Sequence, residues 1–436
     1  MKPFFEHDCL LSTPTAKSLF QEVVNLPVTD AFTKLTAKEI AENSQFENIT
    51  ELLIDRDPKK LEAMRFFGID EYYITGEAGA FERFQKWSET LPCLIGNPLY
   101  YRSHFELQKF FSVQEPLSPA TAEKIWTAAN QKIQTEKLSI WNLFKQFGVT
   151  ALHTPQDPTA SLVWHQKIAE DGLCPAKVYP SFCADKALSP TSSTFKKWVE
   201  ALAESCSASI ATLADLQARL VERLLFFKSL GAKSAIQMIS LSKLPECSYE
   251  TADAAFQKAK NQLPLTQSEL SEYQGVMLQF LAKKYQDYGF TMAIQTTTEA
   301  ASHTVITLLE QLSREHKLPK ILLATTEPSH YPSLAKAAVS SKISGSLRLF
   351  FKGMPYQKDD LQFILKAVSK NGILPCFAGI CAGGNSLLSY PFYEYFRQNL
   401  CDFLGNLVES GEYPNYADLL KKFVKDITFE TLNSYL

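Results

Sequence analysis

Five side chains in this 436-residue sequence stand where short apolar runs end and could do chemistry: Lys34, His153, Cys183, Arg348 and Lys352. Together they would supply an acid–base pair and a clamp for an anion. An amine held among apolar neighbours loses part of its affinity for a proton and can serve as a base. The plainer reading is that Lys34 carries a structural positive charge, paired with Asp30 or Asp157. The other run ends offer Thr33, Thr154, Asp157, Asp185, Gln237, Gln295, Thr326, Glu327 and the stretch Ala382-Gly383-Gly384-Asn385.

A metal-ligand set is not predicted. The histidines are His7, His104, His153, His165, His303, His316 and His330, no two within four residues of each other. Only His153 stands at the end of an apolar run, and one imidazole does not make a metal centre. No cofactor is expected from these residues. The segment from Gly379 to Ser386 reads first as a tight turn and second as backbone N–H groups able to cradle a phosphate. It lacks the Gly-Lys-Ser/Thr ending of a P-loop.

The elements that must position these groups alternate. Strands are predicted at residues 27–32, 149–153, 177–182, 234–239, 290–295, 320–325, 346–350 and 373–378. Between the later ones lie amphipathic helices, such as the one carrying Leu213, Leu216, Leu220, Leu224 and Phe227 at spacings of three and four. Eight strands alternating with helices predict an α/β fold, a (β/α)8 TIM barrel whose chemistry lies at the C-terminal strand ends. Residues 37–147 read as a helical insertion after the first strand, with helices at 58–67, 80–91, 120–136 and 138–147. The expected organisation is residues 1–36 for the N-terminal helix and first strand, 37–147 for the insertion, 148–390 for the rest of the barrel, and 391–436 for helices packed on its outside.

Composition narrows the function classes. Hydrophobic residues make up 45% and charged residues 21%, enough to build a large core. With 44 Lys and Arg against 47 Asp and Glu, the net charge of −3 gives no general affinity for nucleic acid. Apolar runs are too short to span a membrane, and Glu6 and Asp8 interrupt what would be a signal peptide core. Nine cysteines without a C-x-x-C pair suit a reducing, cytoplasmic setting.

At this level of detail the chain resembles the uronate isomerases. The resemblance rests on ordered blocks, among them FFEHDCLLSTPTAKSLF, KLEAMRFFGIDEYYITGEA, YPSFCADKAL and SLLSYPFYEYFRQNLCDFLG. It implies an amidohydrolase-like barrel that interconverts an aldohexuronate and its ketose, binds one divalent metal such as zinc, takes a small sugar acid and self-associates.

The departures from the family pattern fall on its chemistry. The metal-holding His-x-His aligns with Phe32 and Lys34, and the Arg of Pro-Thr-Phe-Arg-Pro-Asp with Cys183. The His of strand four aligns with Gln237, the strand-five His with Gln295, and the first of a Trp pair with Arg348. Thr-Asp-Ser-Arg, which carries the metal-binding Asp, reads Ala382-Gly383-Gly384-Asn385, and the Arg-His that follows reads Phe392-Tyr393. Arg65, Glu106, His165, Asp185, Ser386, Glu394 and Arg397 match family positions and are expected to serve packing and turns. The resemblance therefore implies a degenerate isomerase without a metal site. The alternative is a rebuilt, metal-independent enzyme for a sugar acid or sugar phosphate, with Lys34, His153 and Arg348 as candidate catalytic residues.

Overall fold

The computed structural model describes residues 10–241, 247–315, 317–343, 345–353, 358–382 and 387–436. Seven parallel strands form one sheet in sequence order: β1 (Val28–Asp30), β2 (Val149–Gln156), β3 (Lys177–Cys183), β4 (Ser234–Ile239), β5 (Thr291–Thr296), β6 (Ile321–Thr325) and β7 (Leu347–Leu349). β5 and β6 are buried at every position, as strands covered on both faces must be. Helices return the chain between parallel neighbours. Leu213–Ser229 precedes β4, Gln267–Tyr288 precedes β5 and Glu299–Arg314 precedes β6. The helix Gln267–Tyr288 starts on a capping box between Thr266 and Glu269 and stops at Gly289, whose φ of 75° few other residues tolerate.

The last strand differs from the sequence expectation. The apolar run at 373–378 contains a 3-10 turn, Leu374–Cys376, because Pro375 has no N–H to give a ladder. The strand instead is β9 (Ile380–Cys381), beginning just after Gly379 with its φ of 68°, and it pairs with β8 (Phe351–Lys352). The predicted strand 346–350 is likewise divided. Phe350 N–H donates to Leu323 of β6, whereas Phe351 N–H donates to Gly379, so the chain changes neighbours within one residue. Across the seam between β9 and β1, the Tyr393 hydroxyl donates to Asp30 Oδ1 at 3.2 Å and accepts from Ala382 N at 3.3 Å.

Inside the curled sheet, Ala31, Phe32, Ile236, Ala293, Leu322, Ala324, Phe350 and Ala378 pack with Leu432, Tyr435 and Leu436. The last residues thus enter the N-terminal end of the barrel; the sequence reading had them on its outside. Thr291 Oγ1 donates to the Tyr435 carbonyl and Lys320 Nζ to the Ser434 carbonyl at 2.7 Å, which holds them there.

Between β1 and β2 the chain is mainly helical, including Pro58–Phe67, Ala80–Thr90, Ala122–Thr135 and Ile140–Gln146. Pro98–Phe111 is a further helix that the sequence reading did not name. It brings Glu106 to Lys60 at 2.6 Å and Arg102 to Asp57 at 2.7 Å, a charge cluster enclosed by apolar side chains. Arg102 Nε also donates to Glu106 at 2.7 Å, so each charge has an opposite partner. Among the described residues no helix is long and apolar enough to cross a membrane.

Candidate ligand site at the barrel mouth

β1 and the segment that follows it bring three side chains to the barrel interior and rim: Asp30, Phe32 and Lys34. The chain turns immediately afterwards, with Leu35 N–H donating to Thr33 Oγ1 at 3.3 Å, which leaves Lys34 exposed at the mouth. Phe32 is buried beneath it, with its ring 5.8 Å from that of Phe350. Lys352, from β8, places its ammonium 5.9 Å above the Phe32 ring. Partial burial, and then the charge of Lys352, push the Lys34 pKa down. Among the described residues neither ammonium is in an ion pair.

The neighbouring carboxylates are engaged elsewhere. Asp185, at the end of β3, accepts from Met238 N–H at 2.8 Å and bonds the Cys183 thiol; burial is the main influence on it and raises its pKa. Burial, reinforced by Asp185, pushes the Cys183 thiol up to about 12, so it stays protonated and a poor nucleophile at neutral pH. Asp157 accepts from Thr159 and from Trp198 Nε1, and pairs with Lys186 at 3.2 Å. Asp30 is buried with Tyr393, Thr33 and Cys381 as hydrogen-bond donors, and burial outweighs them, pushing its carboxyl up to about 6. Neither Asp30 nor Asp157 pairs with Lys34.

The structure does not gather Lys34, His153 and Arg348. His153 lies deep in the barrel, 3.3 Å from the hydroxyl of Ser234, the first residue of β4. Burial, helped by Lys233, lowers its pKa to about 4, so the imidazole is neutral. Arg348 lies at the opposite end from the mouth, donating to the Gly345 and Leu347 carbonyls at 3.0 Å and facing the Tyr435 ring. Gln237 turns away from the interior and donates to the Tyr285 hydroxyl in the helix layer at 2.8 Å; Met238 takes the inward place. Gln295 alternates with Ala293 and therefore faces inward, next to Met238 in the strand register. Gly383, Asn385 and Ser386 lie outside the described residues. The mouth thus assembles Phe32, Lys34, Cys183, Asp185, Gln295 and Lys352. Sequence reasoning did not single out Asp30 and Tyr393 as a pair; the signal for Asp30 was its position two residues before Phe32 on the same strand face.

The framework positions have contacts of their own. Thr154 Oγ1 meets His165 Nε2 at 2.6 Å, Glu394 pairs with Lys109 at 2.6 Å, and Arg397 donates to the Val24 and Pro27 carbonyls just ahead of β1. The first ties a helix to a strand, the second joins two helices, and the third anchors a helix to the chain entering β1.

Comparison with known proteins agrees with this architecture. The sequence matches the family described as glucuronate isomerase over residues 1–299 and 293–436. The chain belongs to that family. It is 33% identical to the uronate isomerase of Shouchella clausii, covering 100% of this chain and 98% of that protein. It is 32% identical to the uronate isomerase of Caldanaerobacter subterraneus, with 100% of both covered. The solved uronate isomerase of Thermotoga maritima superposes with a TM-score of 0.90 at 24% identity over 100% of both chains. The glucuronate isomerase of Caulobacter crescentus gives 0.88 at 18% identity, covering 100% of this chain and 97% of that one.

The family resemblance implies a divalent metal, and the donors do not fit one. At the positions that the resemblance aligns with metal-holding imidazoles, this glucuronate isomerase-family chain has a benzyl ring, an ammonium and an amide, at Phe32, Lys34 and Gln295. An ammonium repels a cation, and a benzyl group offers no lone pair. Among the described residues no group of three His, Cys, Asp or Glu side chains is arranged to hold a metal ion.

Proposed function

We propose that this chain is a uronate isomerase-family barrel that has given up metal-dependent isomerisation and keeps its mouth for binding a small sugar acid. The observation that carries the reading is the side chain at the rim of β1, a lysine beside a second lysine, where a metal-dependent isomerase needs a neutral donor. Moving a proton between C1 and C2 of an aldose demands a positioned base and a group to stabilise the developing oxyanion. Removing one such stabilising group costs ~10²–10³ in rate. Here the family's imidazoles and arginines are replaced together, and the residual rate falls accordingly, although such losses do not simply multiply. The framework contacts at His165, Glu394 and Arg397 persist, which supports a role that needs the folded barrel.

The reading carries a sugar-acid ligand, self-association of the barrel and a cytoplasmic setting as its other terms. The described cysteines, all free thiols, support a reducing compartment. The test is exchange between glucuronate and fructuronate, and between galacturonate and tagaturonate, followed by NMR with the purified chain in added Zn²⁺ or Mn²⁺. We expect no exchange above background. Turnover at the rate of a curated relative assayed alongside would overturn the proposal.

A further inference from the structure

Two cations share the mouth around Phe32, and among the described residues no carboxylate is paired to either. Lys34 follows β1 and Lys352 lies in β8, where its charge reaches the Lys34 ammonium. Holding like charges together at a partly desolvated rim costs free energy, which folded chains ordinarily offset with an acidic partner. Three carboxylates around the mouth, Asp185, Asp157 and Asp30, do not provide one. Asp185, within electrostatic reach of Lys352, is committed to Met238 N–H and the Cys183 thiol. Asp157 is taken by Lys186, and Asp30 by Tyr393 and Cys381 on the seam below. The apolar ring of Phe32 forms the floor under Lys352 and excludes water from one side of its ammonium. Gln295 faces the same interior and has no hydrogen-bond partner among the described residues, so its amide is available to a hydroxyl group.

We propose that Lys34 and Lys352 form a two-ammonium clamp for the oxyanion of a small polyhydroxylated ligand, with Gln295 meeting its hydroxyls. This rests on the reading of the mouth as a sugar-acid site and names the groups that hold the ligand. The shared chemistry is a compact oxyanion, which a carboxylate or a phosphate ester can both supply. Two ammonium groups around one anion favour it over the neutral sugar by charge-assisted hydrogen bonds, and the hydroxylated remainder distinguishes it from a bare ion.

The experiment is calorimetric titration of the full chain with glucuronate, glucose 6-phosphate, inorganic phosphate and glucose, at low and high salt. Wild type is expected to bind at least one of the two sugar anions saturably and glucose not at all, with affinity falling as salt rises. Lys34→Met and Lys352→Met should each weaken binding about tenfold, and the double variant should abolish it. Lys34→Arg and Lys352→Arg should retain it, and Lys370→Met, on an exposed helix face, should leave it unchanged. The glucuronate and glucose 6-phosphate arms tell carboxylate from phosphate ester. Inorganic phosphate binding as tightly as either sugar anion would contradict the role of the hydroxyls. Undiminished binding in the double variant, with a melting temperature like wild type, would overturn the clamp, as would no saturable binding of any anion. Isomerase turnover is a separate readout, so loss of one proposal does not disguise loss of the other.

Discussion

Asp30 is a carboxyl group buried in the seam between the first and last strands, held by Tyr393, Thr33 and Cys381, with no cation paired to it among the described residues. Burial moves its pKa from 3.8 to about 6, a difference worth about 3 kcal/mol between the two protonation states. The sign follows from proton counting. Between roughly pH 4 and pH 6 the folded chain holds this proton and the unfolded chain releases it, so stability falls as pH rises through that window. Above it the full cost is present; below it the cost is gone. Relative to Asp30→Asn, the wild-type chain should therefore gain stability, by about 2 kcal/mol, as pH falls from 7 to 4.5. Urea denaturation of both chains across that range measures it. A pH-independent difference would show that Asp30 is ionised below pH 5 and is solvated or paired after all.

At the scale of elements, two local devices govern how the barrel is built. Gly379 starts the last strand with a left-handed φ of 68°, and a Cβ there would press into the Ile427 carbonyl. Gly379→Ala combines backbone strain with a clash against main chain, and should cost at least about 2 kcal/mol, seen as a lower midpoint in thermal unfolding. A neutral result would mean that the strand can begin elsewhere. The second device joins helices Pro58–Phe67 and Pro98–Phe111 through Lys60, Glu106, Arg102 and Asp57. Lys60 also donates to the Leu53 carbonyl at 2.8 Å, and both it and Glu106 are fully buried. Lys60→Met leaves a carboxylate in excess and should cost about 3–5 kcal/mol. Lys60→Met with Glu106→Gln leaves the Arg102–Asp57 pair balanced and should recover part of that loss, as a double-mutant cycle in denaturant would record. Costs that simply add would contradict an enclosed, coupled cluster.

At the scale of the whole molecule, the parallel α/β organisation was legible where the signals were physical and local. The buried apolar runs of β5 and β6, and the helix Pro58–Phe67 between its Asp57 cap and Gly68, stand close to where their patterns put them. The run at 373–378 misled because apolar residues in a 3-10 turn and in a strand look alike until Pro375 and Gly379 are weighed. Gln237 misled for a different reason: its polarity suggests the mouth, but a hydrogen bond to Tyr285 satisfies it in the helix layer while apolar Met238 takes the rim. Arg348 was read one strand end away from its place because the seventh strand is interrupted and Lys352, beyond the break, reaches the mouth instead. That Phe32, Lys34 and Gln295 offer no imidazole, by contrast, was legible in residue types alone.

The decisive property of the molecule is whether its barrel rim can hold a divalent cation. Purified chain, dialysed free of metal and titrated with Zn²⁺ and Mn²⁺, should show no stoichiometric binding by calorimetry and no retained metal by mass spectrometry after desalting. One equivalent held per chain, displaced by Lys34→Ala or Gln295→Ala, would contradict it.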